Sequence, residues 1–387
     1  MDRVEWKKIT ATNPEYKHLK TLTGITLILV VLLVSLSAYL RLAHSGIGCA
    51  DWPQCYGRIG AAPETTVTAQ EKLRATGENA YRQLVEQSSQ PLAWATPLHR
   101  LVASVLGLLV LILTLASMRL KRRRLVSLAL LALTVWLAVL GIRSGHLHDP
   151  AVVMGNLAGG FTMLGLLGWL WFQPSPAASA SLPISDPWRE RDDERWPRHG
   201  TVAAAGILPH ASTTQLSSAH PFSTRASAVL AGFALMLLAV QILLGGLTSA
   251  NFAATACATL PDCQGSYWPG PEIATALNLS RTHEVTPSGH AIGGAERLAI
   301  AKAHRLGAVL AGSLVLLAGV LALRSAGAQR RTGAAIVLLV LLELSVGVSS
   351  VLSGLPMALA IAHNWLAGLL LLCLVRLLAL NTSAPAG

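Results

Sequence analysis

Eight long apolar runs dominate this 387-residue sequence and constrain its fold more than any other feature. Each run is about as long as the roughly 20 residues that a helix needs to cross a lipid bilayer. Charged residues make up only 13% of the chain and lie mostly in short stretches between the runs. The runs cover about 21–43, 94–118, 125–144, 151–173, 226–249, 299–323, 333–354 and 356–380.

The apolar runs predict helices, because a lipid-exposed segment must satisfy its own backbone hydrogen bonds. The alternation of polar and apolar residues that is typical of membrane barrels is not seen in the sequence. A mean hydropathy of +0.52 agrees with a chain that lies largely in lipid. The sequence therefore predicts an all-α integral membrane protein with eight transmembrane helices.

The basic residues predict the orientation of the chain, because short cytoplasmic loops are rich in Lys and Arg. They cluster in the N-terminal tail and in the loops after the second and sixth runs, whereas the connection between the last two runs has none. We expect both termini to be cytoplasmic, in a multi-pass protein of the bacterial inner membrane. The net charge of +11 then reflects topology and does not indicate nucleic-acid binding.

The sequence contains a tandem repeat. The pattern C-x3-P-x-C-x-G begins at Cys49 and again 208 positions later at Cys257. The tripeptide His-Arg-Leu begins at His99 and again 205 positions later at His304. We infer two pseudo-symmetric four-helix bundles related by a parallel duplication. The predicted divisions are an N-terminal bundle, a cytoplasmic linker expected to be disordered, and a C-terminal bundle, at 1–173, 174–225 and 226–387.

Four of the five cysteines lie in the two long loops that the topology places outside the cytoplasm. That compartment is oxidising in bacteria, so disulfides can persist there. Each pair is separated by a segment with Pro, and Gly follows, which favours a tight turn. We expect the pairs Cys49–Cys55 and Cys257–Cys263, with structural bracing as their simplest role. Zinc binding is the alternative, although neither loop has the compact Cys/His set of a zinc site.

His304 and His363 lie in the sixth and eighth runs, near the ends that the topology places outside. Two facing imidazoles are a common axial pair for a b-type haem in a four-helix membrane bundle. Arg305 is placed for a haem propionate. The simpler explanation for each histidine is a hydrogen bond to a neighbouring carbonyl group. The occurrence of both residues in one half of the chain favours haem.

The first half of the chain is not equivalent to the second. His99 matches His304, but the fourth run contains Asn156 and no histidine. Asn is a poor iron ligand, so a haem in this half would have one evident protein ligand. Such a site can have a five-coordinate iron, an open face for a substrate, or have decayed.

The chain resembles the haem A synthases of aerobic bacteria and mitochondria over nearly its whole length. The segments that carry the resemblance are RLAHSGIGCADWPQCYG (41–57), GGLTSANFAATACATLPDCQGSYWPG (245–270), AKAHRLGA (301–308) and PMALAIAHN (356–364). These motifs are long and specific.

The resemblance implies a fold of two four-helix bundles. The C-terminal bundle would hold a bis-His haem B on His304 and His363. The N-terminal bundle would bind haem O, the substrate, at His99 and Arg100. The reaction oxidises the C8 methyl group of haem O to a formyl group by successive hydroxylations. The product, haem A, goes to cytochrome c oxidase.

The same resemblance implies partners and a redox role for the first cysteine pair. The expected partners are the lipid bilayer, haem O synthase and assembly factors of cytochrome c oxidase, and a homo-oligomer is compatible with the family. Redox equivalents would pass through the haem B or through Cys49 and Cys55, which we count among the candidate catalytic residues with His99.

The chain departs from the family pattern at two positions. The family motif W-x-E-x-x-H-R reads Trp94-Ala-Thr96-Pro-Leu-His99-Arg100, so Thr96 replaces a carboxylate that could relay protons. Asn156 replaces the histidine of the family motif V-x-A-H-L-x-G-G. The departures leave two hypotheses: a working haem A synthase, and a non-catalytic haem B protein in electron transfer, haem handling or oxidase assembly. A secondary transporter, the third hypothesis, rests on the parallel repeat alone.

Overall fold

The computed structural model describes the helical body of the chain. The described residues are 14–44, 94–120, 123–143, 150–173, 224–257, 259–280 and 294–382. Several predicted features lie outside these residues, namely the N-terminal tail, nearly all of the linker, and the predicted pair of Cys49 and Cys55.

The described residues form eight long helices and one short one, and no strand. The long helices are apolar enough to cross a membrane, which confirms the predicted all-α multi-pass membrane protein. The short helix, α6, lies in the loop that joins α5 to α7. The helices are α1 (Pro14–His44), α2 (Ala95–Arg119), α3 (Arg124–Arg143), α4 (Pro150–Phe172), α5 (Thr224–Ala250), α6 (Ile273–Leu277), α7 (Ala295–Leu323), α8 (Gly327–Leu352) and α9 (Met357–Thr382).

Large apolar side chains cover the outer faces of the long helices. Ile28 on α1 is 70% exposed and Ile142 on α3 is 85% exposed. A soluble protein would have to bury such continuous apolar surface, whereas lipid tails solvate it at little cost. The exposed side chains therefore mark the surface that faces the bilayer.

The helices form two rings of four with the same order of neighbours. In the first ring α1 contacts α2 and α4, and α3 contacts the same two helices. In the second ring α5 contacts α7 and α9, and α8 contacts the same two helices. The repeat pairs α1 with α5, α2 with α7, α3 with α8, and α4 with α9. The two rings are therefore equivalent in topology.

The contacts between the two rings also occur in equivalent pairs. The matched helices α4 and α9 pack against each other, while α5 packs on α4 and α1 packs on α9. If the two halves are exchanged, the contact of α5 with α4 becomes the contact of α1 with α9. This pattern is typical of pseudo-two-fold symmetry with the axis between α4 and α9.

Small residues allow α4 and α9 to approach closely. A Cβ atom at Gly168 of α4 would lie 2.7 Å from Leu372 Cδ2, and one at Gly368 of α9 would lie 3.4 Å from Leu164 Cδ2. Membrane helices commonly use glycine in this way, because tight van der Waals packing replaces the missing hydrophobic driving force. The junction of the two rings is thus a packed core.

The Gly333→Ala substitution should destabilise the protein, because Gly333 of α8 packs on the backbone of α7. Its Cβ atom would lie 2.7 Å from Gly319 O and 2.9 Å from Leu323 N. Neither atom can move without moving the helix, so we expect the free energy of unfolding to fall by about 1–3 kcal/mol. Thermal unfolding of the purified protein in detergent measures this change.

The matched control is Gly232→Ala on α5, where an added Cβ atom meets nothing within 4 Å. Alanine favours helix over glycine by roughly 1 kcal/mol, so this variant should be as stable as the parent or slightly more stable. Equal stability of both variants would contradict the close contact between α7 and α8.

Candidate functional site

His304 and His363 meet inside the second ring. His304 lies on α7 and His363 on α9, both near the ends of these helices that adjoin the loop 251–280. Their ring centroids are 6.4 Å apart, and the ring planes cross at 83°. The structure thus brings together the two residues that the sequence predicts as an axial pair. Their role as haem ligands stays a prediction at this point.

Gln241 and Gly245 of α5 form the seat of the His304 ring. Gln241 Nε2 lies 3.0 Å from His304 Nδ1 and 3.0 Å from the backbone oxygen of His304. One turn further along α5, a Cβ atom at Gly245 would lie 3.2 Å from His304 Cε1. Gly307 leaves room for the amide, because a Cβ atom there would clash with Gln241 Oε1.

Glu343 and Gly347 of α8 form the seat of the His363 ring. Glu343 Oε1 lies 3.3 Å from His363 Nδ1. One turn further along α8, a Cβ atom at Gly347 would lie 3.2 Å from His363 Cε1. Both seats therefore consist of a polar residue that contacts Nδ1 and a glycine four residues later that admits the edge of the ring.

The contacts at Nδ1 determine what the two rings can do chemically. An imidazole that donates its Nδ1 proton has Nε2 left as its metal-binding nitrogen, and Glu343 offers His363 an acceptor for that proton. Gln241 instead presents an amide nitrogen to Nδ1 of His304. Two imidazoles with centroids 6.4 Å apart can hold one metal centre between them. Gln241 Oε1 and Glu343 Oε2 are buried atoms that have no hydrogen-bond partner in the part of the chain that the structure describes.

Arg305 follows His304 and holds the loop 251–280 against α7. Its guanidinium donates hydrogen bonds to three backbone oxygens, those of Cys257 at 2.7 Å, Thr259 at 2.6 Å and Asp262 at 2.9 Å. These contacts engage both terminal nitrogens of the side chain. The predicted contact of Arg305 with a haem propionate stays a prediction, and the structure shows a clasp on the loop.

A disulfide joins Cys257 to Cys263 within that loop, with their Cα atoms 5.5 Å apart. Both cysteines are buried, and they pack against Leu298 and Ala301 of α7. The turn after Cys263 includes Gly265 at φ +76°, and the amide of Gly265 donates to Asp262 Oδ2. Glycine suits this left-handed backbone.

The predicted site residues of the first ring lie on α2 and α4. His99 lies in the second turn of α2 and is half-buried, and Arg100 beside it is exposed. Thr96 lies in the first turn of α2, where the structure describes the backbone alone. Asn156 is half-buried on α4. No histidine occurs in α3 or α4, so His99 lacks a paired ring from either helix.

Bulky side chains of α3 pack beside Gly155, the neighbour of Asn156 on α4. A Cβ atom at Gly155 would lie 3.1 Å from Leu140 and 3.3 Å from Trp136. Near the start of α2, Trp94 stacks on Tyr39 of α1 at 5.5 Å between ring centroids. Apolar and aromatic packing thus occurs at both of these places in the first ring.

Gln241, Glu343 and the two seat glycines were not predicted from the sequence. Glu343 carried a usable signal, because it is the only charged residue between 332 and 352. Ionisable residues within transmembrane helices usually have a partner and mark a functional site. Gln241 carried a weaker signal, since an amide in an apolar helix is commoner than a carboxyl group.

Two comparisons bear on the family of this chain. The family model described as cytochrome oxidase assembly protein, COX15-CtaA, matches residues 20–375. The curated protein Heme A synthase of Shewanella oneidensis is 30% identical over 365 residues, which cover 93% of this chain and 96% of that protein. The matched region includes every described helix except the first residues of α1 and the last residues of α9.

The Arg305→Ala substitution should release the loop from α7 and lower the free energy of unfolding. Removal of three hydrogen bonds from a charged donor predicts a loss of about 1–3 kcal/mol. Thermal unfolding followed by tryptophan fluorescence measures it, because Trp268 lies in the same loop. The matched control is Arg100→Ala, the repeat-equivalent and exposed arginine, which should change stability little. Equal losses in both variants would contradict the clasp.

Proposed function

Because this chain belongs to the COX15-CtaA family of cytochrome oxidase assembly proteins, and so to the haem A synthases, we propose that it is a membrane oxidoreductase of haem A biosynthesis. Its substrate is haem O, whose C8 methyl group it oxidises to a formyl group. The product is haem A for cytochrome c oxidase. The observation that carries the proposal is the pair of facing histidines in the second ring, in a chain matched over its length to this family.

The second ring fits a bis-His haem B. His304 and His363 would hold the haem iron, because their ring centroids lie 6.4 Å apart and imidazoles are common axial ligands of haem. Haem B bound there would supply a one-electron redox centre. The two glycine seats support the fit, because they let each ring stand close to a neighbouring helix.

The polar partner of the His363 ring also agrees with iron at Nε2. Such ligation leaves the proton on Nδ1, which then needs an acceptor. Glu343 places a carboxyl oxygen 3.3 Å from Nδ1 of His363. At the other ring, Gln241 presents Nε2, a donor, 3.0 Å from Nδ1 and 3.0 Å from the backbone oxygen of His304.

The first ring is the proposed substrate site. His99 orients haem O, and the exposed Arg100 offers a cation to the substrate's carboxylates. Asn156 stands where the family has a second histidine, so one side of the substrate is left without a second imidazole. Thr96 stands where the family has a carboxylate and offers a hydroxyl group instead. The pair Cys49 and Cys55, outside the described residues, would exchange redox equivalents.

We also propose the membrane sidedness that the basic residues predict. Arg119, Arg124 and Arg331 lie at ends of α2, α3 and α8 on the side of the bundle away from the loop 251–280. This distribution supports a cytoplasmic location for these ends and for both termini, in the inner membrane of a bacterium.

The haem content of the purified protein tests the proposed function. The full chain is co-expressed with a haem O synthase, and its haems are extracted and separated by chromatography with mass detection. We expect haem B at about one per chain together with haem O, its hydroxylated form or haem A. The His363→Ala variant should lose haem B, because it removes one of two axial ligands. A chain without haem B contradicts the proposed cofactor site.

The second candidate function is a non-catalytic haem B protein in electron transfer, haem handling or oxidase assembly. The observations that favour it are Asn156 and Thr96, together with the packing of Trp136 and Leu140 beside Gly155. Haem B alone in the extraction, with no trace of haem O or its products, would favour this candidate over the enzyme.

A variant that carries the family's residues at positions 96 and 156 tests whether the first ring still holds a weakened substrate site or has lost that site. The double variant Thr96→Glu with Asn156→His should raise the yield of haem A in the co-expression assay, because it returns a carboxylate and an axial imidazole to the first ring. Each single variant serves as a control for the other position. No haem A and no added haem in the double variant would contradict the assignment of these positions to the substrate site.

A further inference from the structure

The two candidate axial histidines have matched seats that differ in one chemical group. Gln241 and Gly245 on α5, and Glu343 and Gly347 on α8, are each four residues apart, so each pair lies on one face of its helix. A Cβ atom added at either glycine would lie 3.2 Å from the Cε1 atom of the histidine ring that the glycine contacts. The seat of His304 has an amide, whereas the seat of His363 has a carboxyl group.

The carboxyl group of Glu343 is buried in an apolar membrane helix, where it destabilises the fold unless its contacts compensate. Its side chain is only 16% exposed, on a helix that is otherwise apolar from 333 to 344. A buried carboxyl group in a membrane helix is destabilising unless its contacts compensate. The contact that the structure provides is an ion-pair contact of Oε1 with His363 Nδ1 at 3.3 Å, and neither Oε2 nor His363 Nδ1 has a hydrogen-bond partner among the described residues. The contact with His363 is therefore the evident reason for a carboxyl group here.

The geometry points to Glu343 as a positioning residue that makes His363 the more strongly donating axial ligand and lowers the reduction potential of the haem; this inference rests on the proposed haem B site. A carboxyl group that accepts the Nδ1–H hydrogen bond of an imidazole raises the basicity of Nε2. A more basic ligand stabilises the oxidised iron, which lowers the potential.

Gln241 presents its amide nitrogen, a donor, to Nδ1 of His304 at 3.0 Å, so His304 does not receive the effect of a carboxyl acceptor. The two axial bonds are therefore unequal, although both come from histidine. The same contact fixes the orientation of the His363 ring, because Gly347 restricts its Cε1 edge while Glu343 holds Nδ1. Glu343 acts on the iron through His363 and does not itself contact the cofactor.

The test uses the full-length holoprotein in detergent and measures the midpoint potential of haem B by redox titration, with the low-spin electron paramagnetic resonance spectrum as a second readout. Glu343→Gln keeps an acceptor and removes the charge, and Glu343→Leu removes the acceptor. Ser345→Ala is the matched control, because Ser345 lies on the same helix, is exposed and donates its hydroxyl hydrogen bond to Leu341 O within α8.

We expect the midpoint potential to shift to more positive values in both Glu343 variants, further in Glu343→Leu, with an altered axial-ligand signal in the spectrum. Ser345→Ala should match the parent in both measurements. If Glu343→Leu fails to retain haem, a positive shift in haem-loaded Glu343→Gln supports the inference by itself.

Haem-loaded Glu343 variants with the potential and spectrum of the parent would overturn the role of Glu343 and leave the haem site standing. A parent protein without haem B, or a His363→Ala variant that retains a bis-His spectrum, would overturn the proposed haem site, and the inference would fall with it. The two failures are thus distinguishable from the same set of preparations.

Discussion

The absence of water from the bilayer core is the constraint on which the rest of this structure depends. It forces the backbone into helices, and it requires buried polar side chains to contact other polar groups, in their own helix or in a neighbouring one. In the second ring this requirement gathers Gln241, His304, Glu343 and His363 at one level. The polar groups whose burial in a membrane is destabilising are thereby concentrated at one place in the second ring.

Duplication explains the frame, and local packing explains why the two halves differ. The rings share one order of neighbours and meet at equivalent helices, so their backbone arrangements are alike. Their side-chain packing differs, because glycines contact two imidazoles in the second ring, whereas Trp136 and Leu140 pack beside Gly155 in the first. One frame can therefore carry different sets of side chains in its two halves.

The eight helices and the meeting of His304 with His363 could be predicted from the sequence, because long apolar runs and intramembrane histidines are strong local signals. Gln241, Glu343, Gly245 and Gly347 could not, because their role depends on which helix faces meet, and this is set by tertiary packing. Arg305 illustrates the same limit. Its place beside His304 favoured a propionate, but the structure shows contacts with loop carbonyls that lie more than 40 residues away in sequence.

The clasp of Arg305 has a thermodynamic consequence for the loop that carries the disulfide. The residue that holds the loop is covalently next to His304, so local unfolding of the loop or of this turn of α7 would break the contacts between them. Any interaction that fixes His304 then also suppresses local unfolding of the loop, and an ordered loop holds His304 in place. This reciprocal effect between His304 and the loop follows from thermodynamic linkage and requires no conformational change between them.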